Sequence, residues 1–251
     1  MNKLLEPFPY TFKFRMPDGN TRAFLGQHLS YKTGVVCGTC NNGWMAELEN
    51  DIVKPTMKGM IEHGFPVTLL PRGLASLAVF AFKTTVVVNH MRPGSEFFSR
   101  SERRRFAKSL TIPDGVQVWI ASRPRKRTGR VVSYVARTKR NMLGSFDMYL
   151  CTFSLSYLVL QLVALKWSSA SPLHGLPFVR FKQEAKWEKV ATQIWPLDGM
   201  AVSWPPPELI DGELFDEFCD RWTAIDLPEW ASATLPMSCA TGAGNVADRT
   251  S

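Results

Sequence analysis

Helical and strand-like segments occupy separate parts of this chain, and that separation constrains its fold more than any other feature. Strand patterns run through residues 115–182, where Val116, Val118 and Ile120 take alternate positions, as in a half-buried strand. A stripe of apolar residues at helical spacing precedes them over residues 71–90. Because helices and strands are segregated along the chain, the sequence predicts an α+β fold in which a helical segment packs on an antiparallel sheet.

The N-terminal part carries its own local signals. Residues 10–15 and 21–25 are predicted to form a β-hairpin around an Asp-Gly turn. A helix is expected from about Asn42, and Pro55 should end or kink it, since proline cannot donate the helical hydrogen bond.

The order of these patterns divides the chain into three regions. Residues 1–63 form a small N-terminal region of hairpin and helix, and residues 64–232 hold the helical segment and the sheet. Residues 233–251 are small and polar, which predicts a disordered tail.

The formal net charge of +8, with a pI near 9.4, favours an anionic partner. Eight Lys or Arg residues and no acid lie between positions 123 and 140, which predicts a basic loop that contacts nucleic acid, with DNA as the expected partner. A solvated hairpin tip is the alternative. A charged helix over residues 99–110 carries arginines at 103–105, which either extend this patch or form an exposed helix face. The candidate phosphate-binding residues of the loop are Arg123, Arg125, Lys126, Arg127 and Arg130.

Cysteine usage predicts a reducing compartment. The five cysteines are odd in number and irregular in spacing, and no apolar leader opens the chain, so a cytoplasmic protein is expected rather than a secreted one.

The apolar run over residues 148–167 is long enough to cross a membrane. Its interspersed polar residues favour a pair of buried strands, and no membrane partner is predicted.

Cys37 and Cys40 form a Cys-x-x-Cys pair between a predicted strand and a predicted helix. Three interpretations are open. Both thiolates can bind one tetrahedral zinc ion. Alternatively, the pair is a redox dithiol whose first thiolate is stabilised at a helix N-terminus. In the third interpretation, two small residues simply cap the helix.

The run that begins at Cys37 reads Cys-Gly-Thr-Cys-Asn-Asn-Gly-Trp-Met-Ala-Glu-Leu-Glu, and it resembles the second half of the HNH endonuclease motif in a bacterial and phage branch. The resemblance implies a ββα-metal remnant, with Cys37 and Cys40 as half of a structural zinc knuckle. It also implies that Asn41 ligates a catalytic Mg²⁺ or other divalent cation. The family's reaction is metal-dependent hydrolysis of a phosphodiester, in which the metal stabilises the developing charge.

The first knuckle and the histidine general base of the family should precede Cys37. His28 is the one histidine there and is the candidate base, but no cysteine precedes Cys37, so the motif is expected to be N-terminally incomplete. His28, His63 or Cys151 would have to complete the zinc site. The sequence therefore predicts an HNH-endonuclease-like DNA-binding protein. Its alternatives are a non-catalytic nucleic-acid-binding or adaptor protein and a Cys-x-x-Cys thiol oxidoreductase.

Overall fold

The computed structural model describes residues 10–15, 20–26, 36–91, 96–124, 129–137, 146–167, 180–181, 185–220 and 225–226. The tail predicted over 233–251 lies outside them. The strands are β1 (Tyr10–Arg15), β2 (Thr21–Gly26), β3 (Val67–Leu69), β4 (Val116–Ser122), β5 (Gly129–Arg137), β6 (Phe146–Leu155), β7 (Leu158–Trp167), β8 (Arg180–Phe181), β9 (Ala191–Trp195), β10 (Val202–Trp204) and β11 (Ile225–Asp226). The helices are α1 (Gly38–Asn42), α2 (Trp44–Glu47), α3 (Lys54–Glu62), α4 (Pro71–His90), α5 (Arg100–Ser109), α6 (Ala185–Val190) and α7 (Gly212–Asp220), with a π-helical segment, Leu48–Val53, between α2 and α3.

Seven strands form one sheet in the order β2-β1-β5-β6-β7-β4-β9. Neighbours are antiparallel except β1 and β5, which run parallel. Its central hairpin pairs β6 with β7 from Phe146 opposite Trp167 to Leu155 opposite Leu158. The α+β class is thereby confirmed, and the apolar run over 148–167 is a pair of buried strands rather than a membrane helix.

The predicted N-terminal hairpin is present, and it belongs to the main sheet. Strand β1 pairs with β2 on one side and with β5 on the other, where Phe12 lies opposite Val131. Both side chains are buried in the same core. The hairpin therefore extends the sheet, and the described residues do not show it packed with the helix after Cys40 as a separate ββα unit.

Helix α4 is the central helix of the core, as its apolar stripe predicts. Leu77, Ala78 and Ala81 are fully buried, and Phe80 meets Phe153 of the sheet with ring centroids 6.2 Å apart. Among the described residues, it is the single helix long and apolar enough to cross a membrane, and half of that apolar window is buried inside the protein. These contacts are those of a helix in the protein core.

The sheet is covered on both faces. Helices α3, α4 and α5 contribute to the core on one face, whereas Trp187 of α6 and Phe215 and Phe218 of α7 pack on the other. This second layer explains why Gln117 and Trp119, which alternate with apolar residues and looked half-exposed, are only 4% and 7% exposed.

Pro55 does not end the helical region at its own position. It lies in the first turn of α3, where a missing N–H costs little, and the π-helical segment directly precedes it. The helix beyond Asn42 is therefore divided into short segments before Pro55 and continues to Glu62 after it. Leu48 and Met57 still reach the core, so the irregular backbone keeps one apolar face.

Candidate functional site around Cys37 and Cys40

One helical turn brings Cys37 and Cys40 together. Cys37 has an extended backbone and is the N-cap of α1, and its Sγ accepts a hydrogen bond from the Cys40 N–H at 3.3 Å. The turn closes at Gly43, whose N–H donates to the Thr39 carbonyl at 2.9 Å. A Cβ at Gly43 would lie 2.7 Å from that carbonyl oxygen, so the backbone accepts only glycine there without moving.

The two thiols differ in acidity because of this arrangement. Hydrogen bonding from the Cys40 backbone N–H lowers the pKa of Cys37 below that of an ordinary thiol. Hydrogen bonding with the Cys37 side chain raises the pKa of Cys40. Cys37 is exposed, Cys40 is half-buried, and both are free thiols. The exposed Cys37 thiolate is thus the better metal ligand and the better nucleophile of the pair.

Asn41 follows on the same turn and is exposed. Its amide Nδ2 donates to Asn42 Oδ1 at 3.3 Å, a bond that does not use the amide oxygen of Asn41. That oxygen is the atom with which asparagine binds a cation.

Of the other proposed zinc ligands, His63 and Cys151 do not join this turn. Within the described part of the chain, no group of three or more His, Cys, Asp or Glu side chains is arranged to hold a metal ion. His63 stacks on Phe65 beyond α3, with ring centroids 4.8 Å apart, and Cys151 is fully buried in β6. His28 lies outside the described residues. Cys37 and Cys40 therefore supply two thiols, half of a tetrahedral zinc shell.

A cavity of about 380 Å³ opens beside the two cysteines. Trp44 and Phe106 form part of its wall and meet edge to face with ring centroids 5.7 Å apart. The polar side chains of the wall are mostly cationic or basic: Lys83, His90, Arg100, Arg103 and Arg104.

The cavity's inner basic groups already have acidic partners. Lys83 is buried and forms an ion pair with Glu49, and burial lowers the pKa of this lysine. Glu96 Oε1 lies 3.0 Å from His90 Nδ1, and its other oxygen lies 3.1 Å from Arg103 Nη1. The hydrogen bond from Arg103 lowers the pKa of Glu96.

The outer cations of the cavity are different. Arg100 and Arg104 are exposed, and neither forms an ion pair with any residue that the structure describes. Two exposed guanidinium groups therefore border the same cavity as Cys37. The four-residue spacing of Arg100 and Arg104 in the sequence indicates that they share one helix face. No sequence pattern indicates that His90 lies on the cavity wall.

Two of the five candidate phosphate-binding residues, Arg123 and Arg130, contact α7 in the folded protein. Arg123 is only 5% exposed, so it is not a surface phosphate ligand: its guanidinium donates to Ser154 Oγ at 3.0 Å and lies over the Phe215 ring. Arg130 pairs with Asp216 at 2.8 Å. Arg123 is buried and Arg130 is half-buried because Phe215 of α7 packs against both guanidinium groups. The remaining three candidates, Arg125, Lys126 and Arg127, lie outside the described residues.

No protein-family model, no curated protein and no solved structure matches the chain.

Proposed function

We propose that this chain is an HNH-endonuclease-like, nucleic-acid-binding protein of the cytoplasm. The observation that supports the proposal most is that Cys37 and Cys40 border a cavity whose outer cations, Arg100 and Arg104, are exposed and unpaired among the described residues. From the resemblance to HNH endonucleases, the anion expected at these two arginines is a nucleic-acid phosphodiester. Phosphate oxygens are well matched to guanidinium donors.

The metal centre is part of the proposal. Cys37 and Cys40 fit two positions of a structural zinc site, since the pKa of Cys37 is lowered and both thiols share one turn. Asn41, exposed on that turn, would hold Mg²⁺ or another divalent cation through its amide oxygen. Such a cation stabilises the charge that develops on a phosphodiester during hydrolysis. If the protein does not catalyse hydrolysis, the alternative function of the same residues is that of a DNA-binding or adaptor protein.

Nicking of supercoiled plasmid tests the catalytic part. We expect cleavage with Mg²⁺, Mn²⁺ or Ni²⁺ and a loss on the order of 100-fold in Asn41→Ala, because a lost cation ligand removes transition-state stabilisation. Asn50→Ala is the matched control, since Asn50 is an exposed asparagine outside this turn. If wild type does not cut with any of these ions, the endonuclease proposal fails and the binding proposal remains.

Zinc content tests the knuckle independently. Purified wild-type protein should carry zinc, below one ion per chain if these two thiols are its protein ligands, and the double substitution Cys37→Ser/Cys40→Ser should abolish it. Thr39→Ala changes an exposed residue between the two cysteines and should leave the zinc in place. Zinc-free wild-type protein would contradict the knuckle.

One observation favours a second candidate function. Cys37 is exposed, its pKa is lowered by the Cys40 N–H, and the pKa of Cys40 is raised, an asymmetry that also suits a thiol oxidoreductase. This candidate requires disulfide reductase turnover that is lost in Cys37→Ser. Turnover in zinc-free protein would favour it over the nuclease.

A further inference from the structure

Helix α5 separates its charges between two sides. The inner side carries Phe106, which is buried against Phe82 with ring centroids 4.7 Å apart. Its acid, Glu102, also turns inward, where it accepts from Lys166 at 2.6 Å and closes a capping box with Ser99. The single acidic residue of the helix is therefore neutralised on the side that faces the protein.

The outer side of α5 is cationic. The exposed cations are Arg100, Arg104, Arg105 and Lys108. Together with Ser99 and Ser101, they line a shallow depression on the surface. None of the four forms an ion pair with a residue in the described stretches of the chain. Arg100, Arg104 and Lys108 repeat every fourth residue, and Arg105 lies next to Arg104. The four cations therefore form a stripe about 12 Å long at 1.5 Å per residue.

We infer that these four cations, the α5 stripe, bind the phosphate backbone of double-stranded DNA and hold it across the cavity beside Cys37. This inference rests on the proposed function and adds to it the surface that makes the contact. Duplex DNA carries one charge per about 1.7 Å of its axis with both strands counted, so 12 Å of duplex holds about seven phosphates, more than the four cations of the stripe can neutralise. Arg100 and Arg104 line both the depression and the cavity, which makes the two features continuous.

A membrane is a poorer match to this surface. A helix that lies on a membrane inserts exposed apolar side chains between the lipids. The apolar residue of α5, Phe106, is buried, and the described large apolar side chains that are exposed all lie on other elements. Arginines and serines without an apolar anchor are suited to phosphate contacts on a rigid duplex.

The test is the salt dependence of binding to a labelled random-sequence duplex of about 20 base pairs, measured by fluorescence anisotropy between about 50 and 200 mM KCl. The stripe variant replaces Arg100, Arg104, Arg105 and Lys108 by Gln. It should lower the magnitude of the slope of log K against log salt by about 3.6, since each neutralised phosphate contributes about 0.9. The double substitution Arg100→Gln/Arg104→Gln should lower it by about 1.8 and covers the case in which the fourfold variant does not fold.

A charge-matched control separates a local effect from the effect of net charge. It replaces by Gln four cations on other elements: Arg22, Lys54, Lys58 and Arg72. This control loses the same charge and should keep a slope within about 1 of wild type. Equal slopes for the stripe variant and wild type would overturn the α5 surface while leaving the proposed function standing. No duplex binding by wild type at the lowest salt would overturn the proposed function itself.

Phosphatidylserine vesicles distinguish a lipid surface from DNA. Wild type and the stripe variant are sedimented with them at the same salt concentrations. If the stripe substitutions abolish vesicle binding and leave duplex binding unchanged, the DNA assignment is overturned in favour of a membrane. Loss of duplex binding with no vesicle binding by wild type supports the assignment.

Discussion

Two arginine-containing regions of this protein, one around Arg123 and one on α5, look alike in the sequence and differ in the structure. Arg123 is 5% exposed and is held by Ser154 and the Phe215 ring, whereas Arg100 and Arg104 are exposed and unpaired among the described residues. The difference comes from what packs nearby. Helix α7 brings Phe215 and an acid over the first region, while α5 turns its own acid inward. A run of charge in a sequence therefore locates cations but does not show which of them can bind a partner.

The largest effect is expected at the ion pair between Lys83 and Glu49. The Lys83 side chain lines the cavity and is only 7% exposed, so it is a buried, paired cation like Arg123. We expect Glu49→Gln to lower the free energy of unfolding by about 2 to 3 kcal/mol, because it leaves a buried ammonium without its countercharge. Urea unfolding measures the change. A loss below about 0.5 kcal/mol would show that burial does not make this cation dependent on its partner.

The pH dependence of the same variant has a defined sign. Burial lowers the pKa of Lys83, so between its folded and unfolded pKa values the unfolded state binds the extra proton. Loss of the countercharge lowers the folded pKa of Lys83 further in Glu49→Gln, so the deficit of this variant should shrink as the pH rises through the folded pKa values of Lys83 and be smallest above them. The double substitution Glu49→Leu/Lys83→Met is the control and should remove this alkaline recovery.

The next largest effect is expected from one alanine substitution in each of the two regions. Arg123→Ala should destabilise the protein by about 2 kcal/mol, because it removes a buried side chain that donates to Ser154 and packs on the Phe215 ring. Arg104→Ala should change the stability by less than about 0.5 kcal/mol but weaken duplex binding. Thermal unfolding and anisotropy on both variants measure the two effects. The reverse pattern, with stability lost at Arg104 and binding lost at Arg123, would contradict the contrast.

The smallest expected effect concerns the acid that α5 turns inward. Although burial raises the pKa of Glu102, hydrogen bonds from Lys166 and Ser99 more than compensate and lower it. A carboxyl with a lowered folded pKa stabilises the protein above its unfolded pKa of about 4.3, and this stability is lost as the pH falls through the folded value. Glu102→Gln should thus cost about 1 kcal/mol at neutral pH and nothing at low pH. A cost that does not change with pH would indicate lost packing instead.

Local patterns predicted much of the fold. The apolar stripe of α4, the hairpin of β1 and β2 and the strand pair β6–β7 all arise from residues close in sequence. The parallel pairing of β1 with β5 joins Phe12 to Val131, more than a hundred positions apart, and no local pattern encodes it. The burial of Gln117 and Trp119 likewise depends on α6 and α7, which follow much later in the chain.

The candidate site divides in the same way. The turn of Cys37 and Cys40 depends on a two-residue spacing, so its position at a helix N-terminus was predictable. The cavity beside it was not, because its wall joins α4 and α5 through tertiary packing. The proximity of His90 to Glu96, and the absence of an ion pair at Arg104 among the described residues against the ion pair at Arg103, emerge only in the folded protein.

The most direct measurement is photocrosslinking of the wild-type protein to a duplex that carries azidophenacyl groups on phosphorothioate linkages of its backbone, with the crosslinked peptides identified by mass spectrometry. The account predicts crosslinks on α5, Arg100–Ser109, and on the turn from Cys37 to Asn41, with Arg123 unlabelled. Crosslinks confined to the region around Arg123 and Arg130, with none on α5, would contradict it.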